Sequence, residues 1–335
     1  MTKFKNFFYI IFLIIVNYLL ITALVFSFSY MSMLQGKTYN WFWVKSIQKK
    51  IYFRGLRNIW QYNKNCISYD ENLLYKPKIG ICKFSNPEFD SSLKFNEYTR
   101  VHETVEEIDD LKDYHIVLGD SIAMGWGVND NETFAFQLEK LLKRKVYNMA
   151  VSSYGTVREI KKLKLSPYYK NSKTIIIQYH PNDLGENKEL DINKTYTKNN
   201  FEKIFANENI KLNNFKFIFR NYKSSIRLFF SDIIDIVFRS KNLELINFDN
   251  DKQYLEKVLK ENINLNEKKV IVFMAIQPWQ KVINFPKNNE NIEYILIELN
   301  KSHFFNIDDH PNQKGHLKIA KILNEFLSKN ISDEK

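Results

Sequence analysis

A long apolar run near the N-terminus constrains what this 335-residue chain can fold into. Residues Phe7–Met31 carry no charge, and the nearest charged residues are Lys5 and Lys37. As a helix rising about 1.5 Å per residue, the run is long enough to cross a hydrocarbon core of about 30 Å. A cleaved signal peptide has a shorter apolar region and a small-residue cleavage site, which Ser27–Tyr30 does not offer. We therefore predict an uncleaved transmembrane signal anchor rather than a buried helix of a soluble domain.

Basic residues and cysteines point to opposite orientations of this anchor. Basic residues cluster after the run, over Lys37–Arg57, which by the positive-inside rule favours a cytoplasmic body. The rule weakens for large downstream domains. The only two cysteines, Cys66 and Cys82, suit a single disulfide and hence an oxidising compartment, although two unrelated thiols are the alternative. We predict that residues 1–35 form a cytoplasmic tip and a single-pass inner-membrane anchor, with the remaining body on the periplasmic or extracytoplasmic side.

The net charge of +11 does not by itself indicate a nucleic-acid partner. The lysines are spread along the chain and mixed with acidic residues, and neither zinc-finger spacing nor an RNA-binding signature occurs. A solvated basic surface is the simpler interpretation. The six histidines show no HExxH or other paired ligand spacing, so we expect neither a metal nor a cofactor. The sequence leaves the oligomeric state open.

From His115 onward, short apolar runs alternate with amphipathic stretches. Strands are predicted at 115–119, 145–150, 173–179, 268–276 and 294–299, and helices at 132–144, 156–165 and 313–329. Continuous apolar strands that alternate with helices indicate a parallel sheet covered on both faces. In such α/β sheets the ligand lies beyond the carboxyl ends of the strands.

The remaining segments divide the chain further. Residues 36–110 are predicted as a juxtamembrane and lead-in region, and residues 111–330 as the α/β domain. Within that domain, 191–265 is predicted as a helical insertion that contains an aromatic, basic helix at 215–239. This helix could pack on the sheet, cap the active site, or form a second membrane-facing surface.

Residues able to do acyl-transfer chemistry follow the predicted strands. Ser121 follows the first strand, where its hydroxyl could lie at the carboxyl edge of the sheet. Gly155 follows the second strand and offers an unobstructed N–H, and Asn182 follows the third. Near the C-terminus, His310 follows Asp308 and precedes the last helix, an arrangement that suits a base with an orienting acid. Each feature alone is also compatible with an ordinary turn or a solvated loop.

The order of these residues resembles the SGNH (GDSL) hydrolase family, which has four sequence blocks. Ser121 lies in LGDSIAMGWGV, Gly155 in NMAVSSYGT, Asn182 in QYHPND, and Asp308 and His310 in DDHPNQKGH. The resemblance implies a flavodoxin-like three-layer α/β/α sandwich. It also implies that Ser121 is the nucleophile, His310 the base and Asp308 the orienting acid. The N–H groups of Ser121 and Gly155 and the amide of Asn182 then form the oxyanion hole.

The resemblance covers about 114–157, 173–187 and 270–327, and it leaves out the anchor and the insertion. The segment 69–100 also looks like the lead-in of membrane-anchored bacterial members.

One position departs from the family pattern, and the identity of the acid residue depends on which spacing variant applies. His180 stands where the third block usually has glycine, so we expect it to shape the loop or to contact substrate. The spacing Asp-x-x-His falls on Ile307, which cannot serve as the acid, so the Asp-x-His variant assigns Asp308. Asp309, next to His310, is expected to point away.

These features together predict a serine esterase. Its predicted substrate is an O-acylated glycan of the cell envelope or another small ester, and the first choice of acyl group is O-acetyl. The nearest alternative is an O-acyltransferase that passes the same acyl group to a sugar hydroxyl. A non-enzymatic glycan-binding protein on the same frame is the second alternative, and an anionic-polymer binder that uses the basic surface is a further one.

Overall fold

The structure is a computed structural model that describes residues 2–102, 114–189, 191–205, 215–238, 243–289 and 291–333. Ten α-helices are described: α1 Thr2–Leu34, α2 Phe42–Ile51, α3 Ser121–Met124, α4 Phe134–Leu142, α5 Thr156–Leu165, α6 Leu184–Glu189, α7 Lys198–Ile204, α8 Phe215–Phe238, α9 Asp249–Asn262 and α10 Gln313–Asp333. Eleven strands are described: β1 Ile67–Asp70, β2 Leu74–Pro77, β3 Gly80–Asn86, β4 Phe89–Phe95, β5 His115–Gly119, β6 Val146–Asn148, β7 Thr174–Gln178, β8 Glu244–Asn247, β9 Lys269–Ile276, β10 Gln280–Ile283 and β11 Ile292–Glu298. The predicted domain boundary at 110/111 lies outside the described residues.

A five-stranded parallel sheet organises the C-terminal body. Its strand order is β6-β5-β7-β9-β11, and each neighbouring pair is parallel. Counted along the chain within this sheet, the order is 2-1-3-4-5, which is the flavodoxin-like arrangement. The predicted α/β fold with a parallel sheet is therefore confirmed.

Apolar strands packed on both faces produce the three layers. In β7 every side chain from Thr174 to Gln178 is buried, because Ile175 and Ile177 pack against one layer and Ile176 against the other. One layer is formed by α4 and α10, and the opposite layer by α5 and α9. Burial on both faces explains why these strands are runs of β-branched residues rather than alternating patterns.

The segment 191–265 contributes to two different parts of the molecule. Helix α9 supplies Leu255, Val258 and Leu259 to the core beneath the sheet, so this end of the segment belongs to the sandwich layers. Strand β8 pairs in parallel with β10 in a separate two-stranded sheet. Residues 206–214 lie outside the described residues.

The N-terminal helices form a separate apolar core. The stretch Lys5–Leu34 of α1 is long and apolar enough to cross a membrane, a property that an anchor and a signal sequence share. Its C-terminal part packs against α2 and α8, and the hydroxyl of Tyr18 donates to the carbonyl of Ile226 in α8 at 2.7 Å. The buried apolar residues of this unit are Phe26, Tyr30, Met33, Ile47, Ile51, Tyr52, Leu56, Phe217 and Ile307. Since Ile307 comes from the loop before α10, the helical unit contacts the predicted catalytic loop directly.

Two antiparallel hairpins, β1–β2 and β3–β4, link the helical unit to the sandwich. Cys66 and Cys82 form a disulfide with a Cα–Cα distance of 5.2 Å, and both cysteines are buried in the core that covers one face of the sheet. The disulfide therefore ties the start of β1 to β3 inside the apolar core.

Removal of this disulfide is expected to destabilise the lead-in. The cysteines are 16 residues apart, and closing such a loop stabilises the folded state by about 3 kcal/mol in the chain-entropy model. We expect the double variant Cys66→Ser/Cys82→Ser to lose about that much unfolding free energy, measured by chemical denaturation of the full chain in detergent micelles. Equal denaturation midpoints for wild type and variant, with and without reductant, would contradict the expectation.

Candidate active site

Ser121 begins a short helix at the carboxyl end of β5. Gly119 adopts φ +143°, and a Cβ there would lie 2.6 Å from the Cβ of Ala123, so the sharp turn after the strand requires glycine. The next residue, Asp120, caps α3 by accepting a hydrogen bond from the N–H of Ile122 at 2.9 Å. The Gly-Asp-Ser sequence thus produces a tight strand-to-helix turn that places the hydroxyl of Ser121 at the edge of the sheet.

Three predicted residues come together in one chain of hydrogen bonds. The Oγ of Ser121 lies 2.7 Å from Nε2 of His310, and Nδ1 of His310 lies 2.5 Å from Oδ1 of Asp308. The indole ring of Trp126 stacks on the imidazole, with ring centroids 4.7 Å apart and planes 14° apart. The imidazole is therefore held between a hydroxyl and a carboxylate and is fixed in its plane by an aromatic ring.

The carboxylate of Asp308 is fully buried, and donors surround both of its oxygens. Its Oδ2 accepts hydrogen bonds from the hydroxyl of Tyr52 and from Nε1 of Trp126, the latter at 3.2 Å, and lies 3.4 Å from Nε of Arg57. Burial alone would raise the pKa of Asp308, but the charge and hydrogen bond of His310, together with Arg57 and Tyr52, outweigh it and hold that pKa well below its usual range. The carboxylate is therefore ionised beside the imidazole.

Residues from the lead-in and from α2 hold the loop that carries Asp308. The carboxylate of Glu88, in the β3–β4 turn, accepts from the N–H groups of Ile307 and Asp308 at 2.8 and 2.7 Å. The neighbouring Asp309 pairs instead with Lys49 of α2 at 2.7 Å. The two adjacent acids thus have different partners, and it is Asp308 that contacts the imidazole.

The predicted oxyanion donors differ in their surroundings. Asn182 lines the cavity at Ser121, whereas the N–H of Gly155 donates to the carboxylate of Glu186 at 3.3 Å. The same carboxylate accepts from the backbone N–H of Arg158 at 2.9 Å, which caps the start of α5, and pairs with Nε of Arg158 at 2.7 Å. The structure therefore does not bring the N–H of Gly155 together with the other predicted donors.

Ser153 fits the oxyanion-donor role predicted for Gly155 better than Gly155 does. It lines the cavity with Ser121 and adopts φ +63°, a left-handed conformation that is uncommon for a non-glycine residue. Within the described residues, the N–H groups of Ser121 and Ser153 donate to no protein acceptor. The side chain of Gln61 fixes this turn, since its amide donates to the hydroxyl of Ser153 at 2.8 Å.

His180 lines the same cavity and contacts the loop that carries Asn182. Its Nδ1 lies 2.9 Å from Oδ1 of Asn182 and 3.3 Å from the N–H of Asn182. The imidazole thereby orients the side-chain amide of Asn182.

The cavity in front of Ser121 has a volume of about 430 Å³ and a mostly polar wall. Six amide and hydroxyl side chains besides Ser121 contribute to this wall, from Gln61, Ser152, Ser153, Asn182, Gln277 and Gln280. Charged side chains such as Lys49, Arg57 and Glu244 also line the cavity. The indole of Trp279 adds an aromatic surface, with Nζ of Lys49 located 5.5 Å from its ring centroid.

Buried acids lie behind the cavity. Glu159 in α5 is 2% exposed, and within the described residues neither of its carboxylate oxygens has a hydrogen-bond partner. Burial, together with the nearby charges of Asp183 and Asp120, raises the pKa of Glu159 well above its ordinary value of 4.5. The pKa of Asp183 is raised for the same reasons. These acids therefore hold protons that they would release in the unfolded chain.

This shift predicts a stability that falls as pH rises. At a pH below about 4.5 both the folded and the unfolded chain hold the proton of Glu159, whereas at neutral pH only the unfolded chain releases it freely, which favours unfolding. Because a glutamine side chain cannot ionise, we expect the unfolding free energy of Glu159→Gln, relative to that of wild type, to increase from pH 4 to pH 7. Urea denaturation at the two pH values measures this difference. A gain that is equal at both pH values would contradict the assignment of a raised pKa.

Sequence reasoning missed Tyr52, Arg57, Trp126 and Glu88 around the predicted acid. Trp126 had a usable signal, because it lies five residues after Ser121 in the same block. The others come from segments without a family block, and the contact of Tyr52 with Asp308 spans 256 positions of the chain. No local pattern marks them.

Comparison with protein-family models and with curated proteins finds no match for the chain. Among solved structures, similarity is found to a family two carbohydrate esterase from Cellvibrio japonicus, at 11% identity over 69% of this chain and 63% of that chain, with a TM-score of 0.34. An acetyl xylan esterase from the rumen bacterium Butyrivibrio proteoclasticus matches at 12% identity over 70% and 67% of the two chains, with a TM-score of 0.34. A protein from Desulfitobacterium hafniense described as lipolytic and of the G-D-S-L family matches at 10% identity over 64% and 99%, with a TM-score of 0.32. Every one of these TM-scores is below 0.5.

Proposed function

We propose that this chain is a serine esterase of the SGNH type. The observation that carries the proposal is the connected series Ser121–His310–Asp308, with distances of 2.7 and 2.5 Å, at the wall of a cavity. In this arrangement the serine hydroxyl is hydrogen-bonded to an imidazole, and the imidazole is hydrogen-bonded to a buried carboxylate. Such an arrangement activates serine for attack on an acyl carbon.

The reaction follows from these contacts. The Oγ of Ser121 attacks the ester carbonyl while Nε2 of His310 accepts its proton, and the ionised Asp308 stabilises the resulting imidazolium. His310 then gives the proton to the departing alcohol, which leaves an acyl-serine. A water molecule, deprotonated by the same imidazole, attacks the acyl carbon and releases the acid and free Ser121.

The oxyanion of each tetrahedral intermediate needs donors fixed in advance. We assign the N–H of Ser121, the N–H of Ser153 and the amide of Asn182, with His180 orienting that amide. The absence of a protein acceptor for both N–H groups within the described residues, and the cavity position of all three residues, support this set. A donor of this kind typically contributes about 3–4 kcal/mol to transition-state stabilisation. Gly155 is left out because its N–H is engaged by Glu186.

The cavity wall favours a carbohydrate ester as substrate. Neutral amides and hydroxyls match sugar hydroxyls, and the indole of Trp279 at the cavity wall suits the apolar face of a pyranose ring. With α1 as an anchor and the Cys66–Cys82 disulfide in an oxidising compartment, the substrate is an O-acylated, in the first instance O-acetylated, glycan of the cell envelope.

The same acyl-serine could instead transfer its acyl group to a sugar hydroxyl, which requires that water be kept out. Of the described residues in 191–265, only Glu244 lines the cavity, so the described part of this segment does not form a lid over Ser121. Hydrolysis is therefore the preferred reaction.

Two assays separate these reactions. The purified full chain in detergent is expected to release acetate from an O-acetylated polysaccharide and p-nitrophenol from p-nitrophenyl acetate. An added deacetylated glycan should leave the p-nitrophenol rate unchanged and remain unacetylated by mass spectrometry. Acetylation of the glycan would instead identify a transferase, and glycan binding that persists in Ser121→Ala without any turnover in wild type would identify a binding protein.

A further inference from the structure

The turn after α2 contacts Oδ2 of the predicted catalytic acid, the carboxylate oxygen that does not contact the imidazole. Tyr52 is fully buried, and its hydroxyl donates to Oδ2 of Asp308. Arg57 places Nε 3.4 Å from the same oxygen and Nη2 3.2 Å from Nδ1 of His310. Tyr52 thus contacts Asp308, Arg57 contacts both Asp308 and His310, and neither residue belongs to the sandwich.

A π turn makes this double contact possible. Residues Tyr52–Leu56 form one π turn, in which the N–H of Arg57 donates to the carbonyl of Tyr52 at 3.0 Å. Gly55 departs from helical geometry within this turn, and Arg57 after it is extended. The turn thus holds the backbone of Arg57 against that of Tyr52, and the side chains of both residues reach Oδ2 of Asp308.

The position of this turn is fixed by the N-terminal helices. Ile47 and Ile51 of α2 pack in the same core as Phe26 of α1 and Ile307 of the catalytic loop. The amide of Gln48 donates to the hydroxyl of Ser32 in α1 at 2.8 Å. The membrane-anchor candidate and the π turn are therefore parts of one packed unit.

We propose that Tyr52 and Arg57 are positioning residues for the proposed esterase reaction, so that the N-terminal helical unit completes the catalytic site besides serving as a tether. The inference rests on the proposed function. Tyr52 and Arg57 hold Oδ2 of Asp308, which leaves Oδ1 directed at Nδ1 of His310. The imidazole then keeps its proton on Nδ1 and presents Nε2 to Ser121 as an acceptor.

The test compares variants of the full chain in detergent, assayed with p-nitrophenyl acetate and by thermal melting. Tyr52→Phe is expected to lower kcat by about 10- to 100-fold, the effect of losing a hydrogen bond to a charged acceptor, with KM changed less than about 2-fold. The matched control is Tyr222→Phe, which removes a hydroxyl that donates from α8 to the carbonyl of Leu19 in α1 at 3.2 Å. We expect this control to keep wild-type kcat, since the hydroxyl contacts no residue of the site.

Arg57 provides a second, independent variant pair. Arg57→Gln is expected to lower kcat by about 10-fold, and Arg57→Lys to recover most of that loss, because a cation remains beside Asp308. The positioning role of Tyr52 would be overturned if Tyr52→Phe and Tyr222→Phe had the same kcat. The positioning role of Arg57 would be overturned if the Arg57 variants differed from wild type in KM but not in kcat. A wild-type chain without esterase activity would instead overturn the proposed function itself, so the two failures are distinguishable.

Discussion

Replacement of Ser121 by alanine is expected to lower kcat by about 10⁴- to 10⁶-fold on p-nitrophenyl acetate or an O-acetylated glycan. The reason is that no acyl-enzyme can form once the Oγ that lies 2.7 Å from Nε2 of His310 is removed. The residual rate would come from the oxyanion donors and from substrate binding alone. Steady-state kinetics of the full chain in detergent measures the loss.

A buried serine away from the cavity provides the matched control. Ser172 is buried two residues before β7, and its hydroxyl donates to the carbonyl of Tyr169 at 2.9 Å. Ser172→Ala is expected to keep kcat within about 2-fold of wild type, because it changes only local stability. Comparable activity of Ser121→Ala and Ser172→Ala would show that Ser121 is not the nucleophile.

Asp308→Asn is expected to lower kcat by about 10⁴-fold while the fold is retained. Two hydrogen-bond donors, from Tyr52 and Trp126, and the guanidinium of Arg57 at 3.4 Å converge on the Oδ2 side of Asp308. They would keep the oxygen of an asparagine amide on that side and turn its NH₂ group toward Nδ1 of His310. The imidazole would then accept at Nδ1 and carry its proton on Nε2, so it could not accept the proton of Ser121.

The neighbouring acid provides an internal control for this prediction. Asp309 pairs with Lys49 at 2.7 Å, and both side chains are about 40% exposed, so the pair contributes little to stability. We expect Asp309→Asn to change kcat by less than about 3-fold in the same assay. A larger loss for Asp309→Asn than for Asp308→Asn would reverse the assignment of the acid.

The sandwich was predictable because its signals are local. The run Ile175–Ile177 and the helix Thr156–Leu165 follow directly from apolar periodicity, and both occur in the structure. The pairing of Ser121 with His310 was predictable for a different reason. The sequence blocks that carry both residues resemble those of the SGNH family, and residues that follow parallel strands meet at one edge of the sheet.

Other features of the site depend on contacts or conformations that leave no local pattern. Tyr52 is one of 19 tyrosines, and its role depends on a π turn and on packing against a loop more than 200 residues away. Gly155 was favoured because glycine leaves an N–H unobstructed, but its N–H is engaged by Glu186 from another element. The left-handed conformation of Ser153 was equally hidden, because serine rarely adopts it.

The central claim is that Ser121 is an activated nucleophile, and fluorophosphonate labelling of the folded full chain tests it most directly. The predicted result is one covalent phosphonyl group per chain, mapped by peptide mass spectrometry to Ser121, absent from Ser121→Ala and slowed in Asp308→Asn. The contradicting result is a wild-type chain that stays unlabelled while its melting transition shows that it is folded, or one labelled at a different residue.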